Sequence, residues 1–156
     1  MGNTLVFGLS GHHDRWKDIP QDIRNTYKAF AVIRNPWARI VSRYIMGMPT
    51  YKWKDFEEFL ETRHVWEHKE WYDPIRSWNT QYDYVCDAND VIRCDIFRLE
   101  NMDMAKHNVG KYTKDYKEYY NSKSIQIVAE WYKKDIDYWG FDFDTRATKN
   151  TYFKFI

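Results

Sequence analysis

Cysteine is scarce. The 156-residue sequence holds two, Cys86 and Cys94, eight residues apart. That spacing is neither a C-x-x-C pair nor a secreted disulfide framework, and the default it leaves is a reduced, intracellular protein. A surplus of one charge is also lacking: 24 Lys and Arg stand against 23 Asp and Glu, a net charge of +1. No global field then draws the chain to nucleic acid or to an anionic membrane. No stretch approaches the roughly 20 apolar residues of a membrane span. The opening Met-Gly-Asn-Thr-Leu-Val lacks the basic start and apolar run of a signal peptide. Val6 stands where an N-myristoylation pattern wants Ser or Thr. These absences predict a cytoplasmic protein. Without repeats or low-complexity linkers, residues 1–156 read as a single domain.

Aromatic residues are abundant: 8 Trp, 13 Tyr and 9 Phe, with 44% of the chain hydrophobic. That content excludes disorder. A chain of this length buries roughly 68–70% of its unfolded surface, so it needs neither disulfide nor metal to fold. The near-zero net charge hides a local pattern. Residues 15–44 carry seven basic groups against Asp18 and Asp22. Residues 53–73 carry three basic and seven acidic groups, and residues 106–123 carry five Lys against Asp115 and Glu118. Two basic segments flanking an acidic one can form a localised anion site.

Thr4–Leu9 and Ala29–Ile33 are apolar runs of buried-strand length, and Val91–Leu99 holds a third strand. Asp14–Tyr27 reads as helical in pieces, with Pro20 suited to a first turn. Pro36 opens a helix from Trp37 to about Met46, with Ile40, Val41 and Tyr44 at helical spacing. Lys54–Arg63 is a short amphipathic helix with Phe56, Phe59 and Leu60 on one side. Residues 64–83, rich in Trp, His and Tyr, read as loop with short helical turns. Asn121 or Ser122 caps a helix over 123–139 that Gly140 ends. Strands alternating with helices predict an α/β fold with a parallel sheet. Ligands bind beyond the carboxyl ends of such strands, which directs attention to Ser10–Asp14 and Arg34–Ser42.

In Phe30–Tyr44 (FAVIRNPWARIVSRY) a buried strand runs into an Arg-Asn-Pro turn and a helix. A helix N-terminus offers free N–H groups and a positive dipole end, and Arg34 adds a forked, permanent cation suited to a phosphate. The plainer alternative is a strand–turn–helix with a surface Arg and a helix-interior Ser42. Gly11-His12-His13-Asp14 follows the first strand, and imidazole titrates where a general base is useful. The alternatives there are two exposed loop histidines or a metal pair, and no Cys/His/Asp cluster completes a metal site.

VIRNPWARIVSRY resembles the 3′-phosphate-binding motif of sulfotransferases, V-R-[ND]-P-x-x-R-x-x-S-x-Y, closest in character to the membrane-type and bacterial carbohydrate enzymes. Arg34, Asn35, Pro36, Arg39, Ser42 and Tyr44 stand in register, and Val32 is displaced by one. Asn79–Val85, Phe97–Met102, Tyr112–Tyr120 and Val128–Phe143 follow in the family's order. The resemblance implies a three-layer parallel sheet with helices on both faces, of the P-loop-NTPase-like sulfotransferase type. It implies 3′-phosphoadenosine 5′-phosphosulfate (PAPS) as donor, a hydroxyl-bearing acceptor such as a carbohydrate, and no metal. Arg34 and Ser42 would hold the 3′-phosphate, with Arg39 at or behind it. The Tyr-Lys segment 112–120 offers Lys114 or Lys117 to a phosphate and a Tyr to the base, and the plainer alternative is an ordinary solvated surface. The Gly-His pair resembles the catalytic histidine of heparan sulfate 2-O-sulfotransferases, which favours His12 over His13.

The family also carries a Lys-bearing loop for the 5′-phosphosulfate. Asn3–Gly11 contains Gly8 and Gly11 but no Lys, and matches the strand that follows that loop. The resemblance therefore implies an N-terminally incomplete or split member. Unpaired sheet edges would invite a second copy or a complementing N-terminal fragment. A catalytically inactive nucleotide- or glycan-binding relative is the alternative, and a nucleic-acid binder is weakest because of the net charge.

Overall fold

The computed structural model describes residues 14–62, 79–99 and 114–151. His12, His13, the Thr4–Leu9 strand and most of the Trp/Tyr-rich stretch lie outside the described residues. A 3-10 turn at Trp16–Asp18 and helix α1 (Gln21–Thr26) lead into strand β1 (Phe30–Ile33). Helices α2 (Pro36–Tyr51), α3 (Phe56–Glu61) and α4 (Gln81–Val85) follow. Strand β2 (Asp95–Arg98) and a 3-10 turn at Tyr116–Tyr119 precede α5 (Ser122–Trp131) and α6 (Lys133–Trp139). β1 and β2 pair in parallel, with Phe30 opposite Asp95 and Ile33 opposite Arg98. Parallel neighbours require a long crossover, which α2, α3 and α4 provide. The described residues thus form an α/β arrangement around a small parallel sheet.

Several boundaries differ from the periodicity, each for a local reason. β2 takes up only the second half of Val91–Leu99. The first half is drawn into a tight turn, because Asp87 Oδ1 accepts the N–H groups of Asn89 and Val91 and Ile92 bridges back to Cys86. α2 runs past Met46 through Pro49, and ends at Lys52 in the left-handed region (φ 54°). Proline in a helix forfeits one backbone bond. Here the last turn is held from outside, since Trp53 packs on Gly47 so closely that a Cβ there would lie 2.6 Å from its ring. Tyr51 stacks on the same indole with ring centroids 5.0 Å apart.

The aromatic surplus is largely structural. Tyr44 of α2 meets Phe56, Phe59, Trp53 and Tyr119 with centroids 5.3–6.1 Å apart. Such pairs contribute about 0.5–1.5 kcal/mol each beyond area burial. Ile33, Ile40, Val41, Val128, Tyr132 and Trp139 complete a core in which strands, α2 and the C-terminal helices meet.

The single helix predicted over 123–139 is two helices. Asn121 caps α5 in a capping box with Ser124. The chain then leaves helical geometry at Tyr132 (φ −109°, ψ 23°) and resumes as α6. Val128, Tyr132 and Trp139 are all fully buried, so the apolar stripe passes through the break and conceals it. Gly140 ends α6 at φ 67°, and a Cβ there would run into Thr148 Oγ1. Gly140→Ala is expected to cost roughly 1–2 kcal/mol, the penalty of a left-handed residue with a Cβ. Urea denaturation checks this, and an unchanged midpoint would contradict the tight Gly140–Thr148 packing.

Candidate functional site

The site is built where β1 ends. Ala29 O accepts the Asp95 N–H at 3.0 Å across the β1–β2 pair. Main-chain groups alternate sides along a strand, so Arg34 turns its N–H and C=O to the edge away from β2. Gln81, the first residue of α4, fills that edge with its carboxamide. The Arg34 N–H donates to Gln81 Oε1 and Gln81 Nε2 donates to the Arg34 carbonyl, both at 3.0 Å. Gln81 imitates one residue of a neighbouring strand. Arg34 as a residue is half-buried, and its guanidinium forms no hydrogen bond or ion pair among the described residues.

Asn35 is the N-cap of α2 and is 5% exposed. Its Oδ1 accepts the N–H groups of Trp37 (2.9 Å) and Ala38 (3.2 Å), and its carbonyl accepts that of Arg39. Pro36 has no N–H. The first-turn donors that the sequence suggested for an anion are therefore already taken by Asn35. What this end of the helix retains for a ligand is its dipole and the side chains around it. On its other side Asn35 Nδ2 donates to the carbonyls of Asp142 (2.9 Å), Phe143 (3.3 Å) and Thr145 (2.7 Å). The turn after α6 is thereby fastened to the sheet end, and Arg98 Nη1 fastens it again through the Ala147 carbonyl at 3.0 Å.

Arg39 is engaged inside the fold. Its Nη1 donates to the Asn79 carbonyl at 2.9 Å, and its guanidinium lies over the Tyr132 ring, 5.6 Å from the centroid. Ser42 is half-buried. By the 3.6-residue period it falls on the side of α2 opposite Ile40 and Tyr44.

The Tyr-Lys segment is also committed to structure. Tyr116 and Tyr120 donate their hydroxyls to the Phe143 carbonyl (2.5 Å) and the Trp37 carbonyl (2.9 Å). Tyr119 packs on Tyr44 and Phe56. These three rings therefore bind the segment to α2 and the 142–145 turn. Lys117 is exposed and pairs with Asp144 at 2.6 Å, which holds its ammonium above the ordinary lysine range. Lys114 is exposed.

Behind the Arg34 turn lies Asp135 of α6, fully buried. Its carboxylate accepts the N–H groups of Gln81 (2.9 Å) and Tyr82 (2.8 Å), and Gln81 Nε2 at 3.2 Å. Burial pushes its carboxyl above the ordinary value, against the opposing pull of those donors and of Arg39. Sequence reasoning missed Gln81 and Asp135 as site residues. Their only signals were the places of Asn79–Val85 and Val128–Phe143 in the ordered set of segments.

Other titratable groups offer less. Burial pushes the Cys94 thiol up to about 12 and raises Cys86, so neither is a thiolate nucleophile at neutral pH. Asp83, Cys86 and Asp90 cluster with ligand-like spacing. The Lys134 ammonium already bridges the two carboxylates there, at 3.2 and 2.9 Å. Among the described residues no helix is long and apolar enough to cross a membrane.

The family model described as the sulfotransferase family matches residues 6–114, a span that includes the β1 exit, Gln81 and β2. The chain matches no curated protein and no solved structure.

Proposed function

Because the chain belongs to the sulfotransferase family, we propose that it transfers a sulfuryl group from PAPS to a hydroxyl of an acceptor, in the first place a carbohydrate. The observation that carries this function is Arg34, whose main chain is fixed at the strand exit while its guanidinium makes no bond among the described residues. A guanidinium and a hydroxyl suit a phosphate monoester, since the guanidinium fork donates to two of its oxygens and a hydroxyl donates to a third. The donor chemistry thus fits the 3′-phosphate. β1 and β2 then belong to a wider three-layer parallel sheet of the P-loop-NTPase type. Their parallel pairing and the helical crossover between them support that placement.

PAPS supplies an activated sulfur whose bond to the phosphate oxygen breaks as the acceptor oxygen bonds to it. The chain's part is to hold the nucleotide, align the hydroxyl in line and take the hydroxyl proton. Arg34 and Ser42 hold the 3′-phosphate. Arg39 supports them through Asn79 and Tyr132. His12 is the base, with His13 beside it. Lys117 reaches a phosphate by exchanging its exposed partner Asp144, an exchange solvent makes easy, and Lys114 adds a second nearby charge.

Transfer of labelled sulfate from PAPS to a panel of glycans tests the proposal. Label on a glycan hydroxyl supports it. Nucleotide binding without transfer to any acceptor would overturn the enzymatic assignment and leave a nucleotide- or glycan-binding module. Transfer that His12→Ala leaves unchanged would remove that residue from the base role.

A further inference from the structure

We infer that Gln81 and Asp135 are positioning residues for the Arg34 guanidinium, an inference that rests on Arg34 being the phosphate-binding group. At Arg34 the regular pairing of β1 stops. The chain must turn at once into Asn35 and Pro36, and Pro36 has no N–H to hold the turn. The direction of the Arg34 Cα–Cβ bond, and so the starting point of its side chain, depends on how the Arg34 peptide groups are fixed. The Gln81 carboxamide fixes both of them, one as donor and one as acceptor. Of the common side chains only a carboxamide presents a donor and an acceptor side by side in the manner of a peptide.

Gln81 is itself held. Asp135 reaches from α6, 54 residues further along the chain, and accepts both the Gln81 Nε2 and the Gln81 main-chain N–H. Its other oxygen accepts the Tyr82 N–H. The carboxylate thus locks the rotamer of Gln81 and the N-terminus of α4 in one contact. Arg39 Nη1 ties the Asn79 carbonyl just before α4 to α2, so the segment carrying Gln81 is fixed from both directions. A buried carboxylate is costly unless fully satisfied. The three hydrogen bonds to the Asp135 carboxylate all come from Gln81 and Tyr82 at the start of α4, which assigns its burial to placement of Gln81.

The test compares two nucleotides that differ only at the 3′ position. Adenosine 3′,5′-bisphosphate and adenosine 5′-phosphate are titrated calorimetrically into wild type and Gln81→Met, a variant of equal length that removes the carboxamide. Gln81→Met is expected to weaken the bisphosphate on the order of tenfold, as small misplacements of a binding group do, and to leave adenosine 5′-phosphate nearly unchanged. An equal loss for both nucleotides, or no loss in the folded variant, would overturn the inference. If Gln81→Met does not fold, Asp135→Asn reports the same ratio and is expected to show a smaller selective loss. Wild type that shows no preference for the bisphosphate would overturn the phosphate site itself, an outcome separate from failure of the Gln81 relay.

Discussion

Arg34→Ala is expected to weaken binding of adenosine 3′,5′-bisphosphate by about 100-fold or more while leaving the fold intact. The two halves of that result have separate causes. A pair of charge-assisted hydrogen bonds from one guanidinium contributes about 3 kcal/mol, which is about two decades in Kd. The contacts that Arg34 makes inside the protein are main-chain bonds to Gln81, and alanine keeps both. The melting temperature should therefore move little. Arg34→Lys should fall between the two proteins, because an ammonium keeps the charge and loses the fork. Calorimetric titration alongside thermal denaturation checks both halves. A large drop in melting temperature would show that the side chain supports the fold, contrary to its lack of partners among the described residues. Unchanged affinity would remove Arg34 from the site.

Asn35→Ala is expected to do the reverse and strike stability first. Its side chain joins five backbone groups that are far apart in sequence: two N–H donors of α2 and the carbonyls of Asp142, Phe143 and Thr145. Loss of the cap costs about 1 kcal/mol, and the carbonyls left unpaired raise the total to roughly 3 kcal/mol. For a chain of this size that lowers the melting temperature by roughly 6–12 °C. Asn35→Asp separates cap from clamp. It retains the acceptor facing Trp37 and Ala38 and turns a carboxylate toward three carbonyl oxygens. It should be at least as unstable as Asn35→Ala. Near-wild-type stability of Asn35→Asp in a urea titration would show that the clamp on the 142–145 turn contributes nothing.

Local chemistry made part of this arrangement readable in advance. The apolar run before Arg34, Pro36 at a first helical position, the Asn121 cap and the Gly140 terminator are each decided by a few neighbouring residues, and each stands where the pattern puts it. Phe56, Phe59 and Leu60 are buried together as their spacing predicts. The extension of α2 through Pro49 was not readable, because its cause is Trp53 packing back on Gly47. The break at Tyr132 was hidden by an apolar period that continues across it.

The site divides in the same way. Arg34 could be picked out because a forked cation at a strand exit suits a phosphate, and Ser42 through its register in the motif that resembles the sulfotransferases. The sequence could not show that Asn35 consumes the first-turn amides of α2, a choice that depends on cap geometry. Nor could it show the bonds among Arg34, Gln81 and Asp135, which join residues 47 and 54 positions apart. Nor could it show that Tyr116, Tyr119 and Tyr120 are held by Phe143, Trp37, Tyr44 and Phe56.

These placements fit a division of labour at the end of β1. Asn35 builds the turn, Gln81 with Asp135 and Arg39 behind it holds the turn in place, and Arg34 remains available for an anion. The most direct measurement is calorimetric titration of the wild-type chain with adenosine 3′,5′-bisphosphate and, separately, with adenosine 5′-phosphate. A phosphate site at Arg34 predicts clear binding of the bisphosphate and a much weaker response to the monophosphate. Equal affinities for the two, or no binding of the bisphosphate at millimolar concentration, would contradict it.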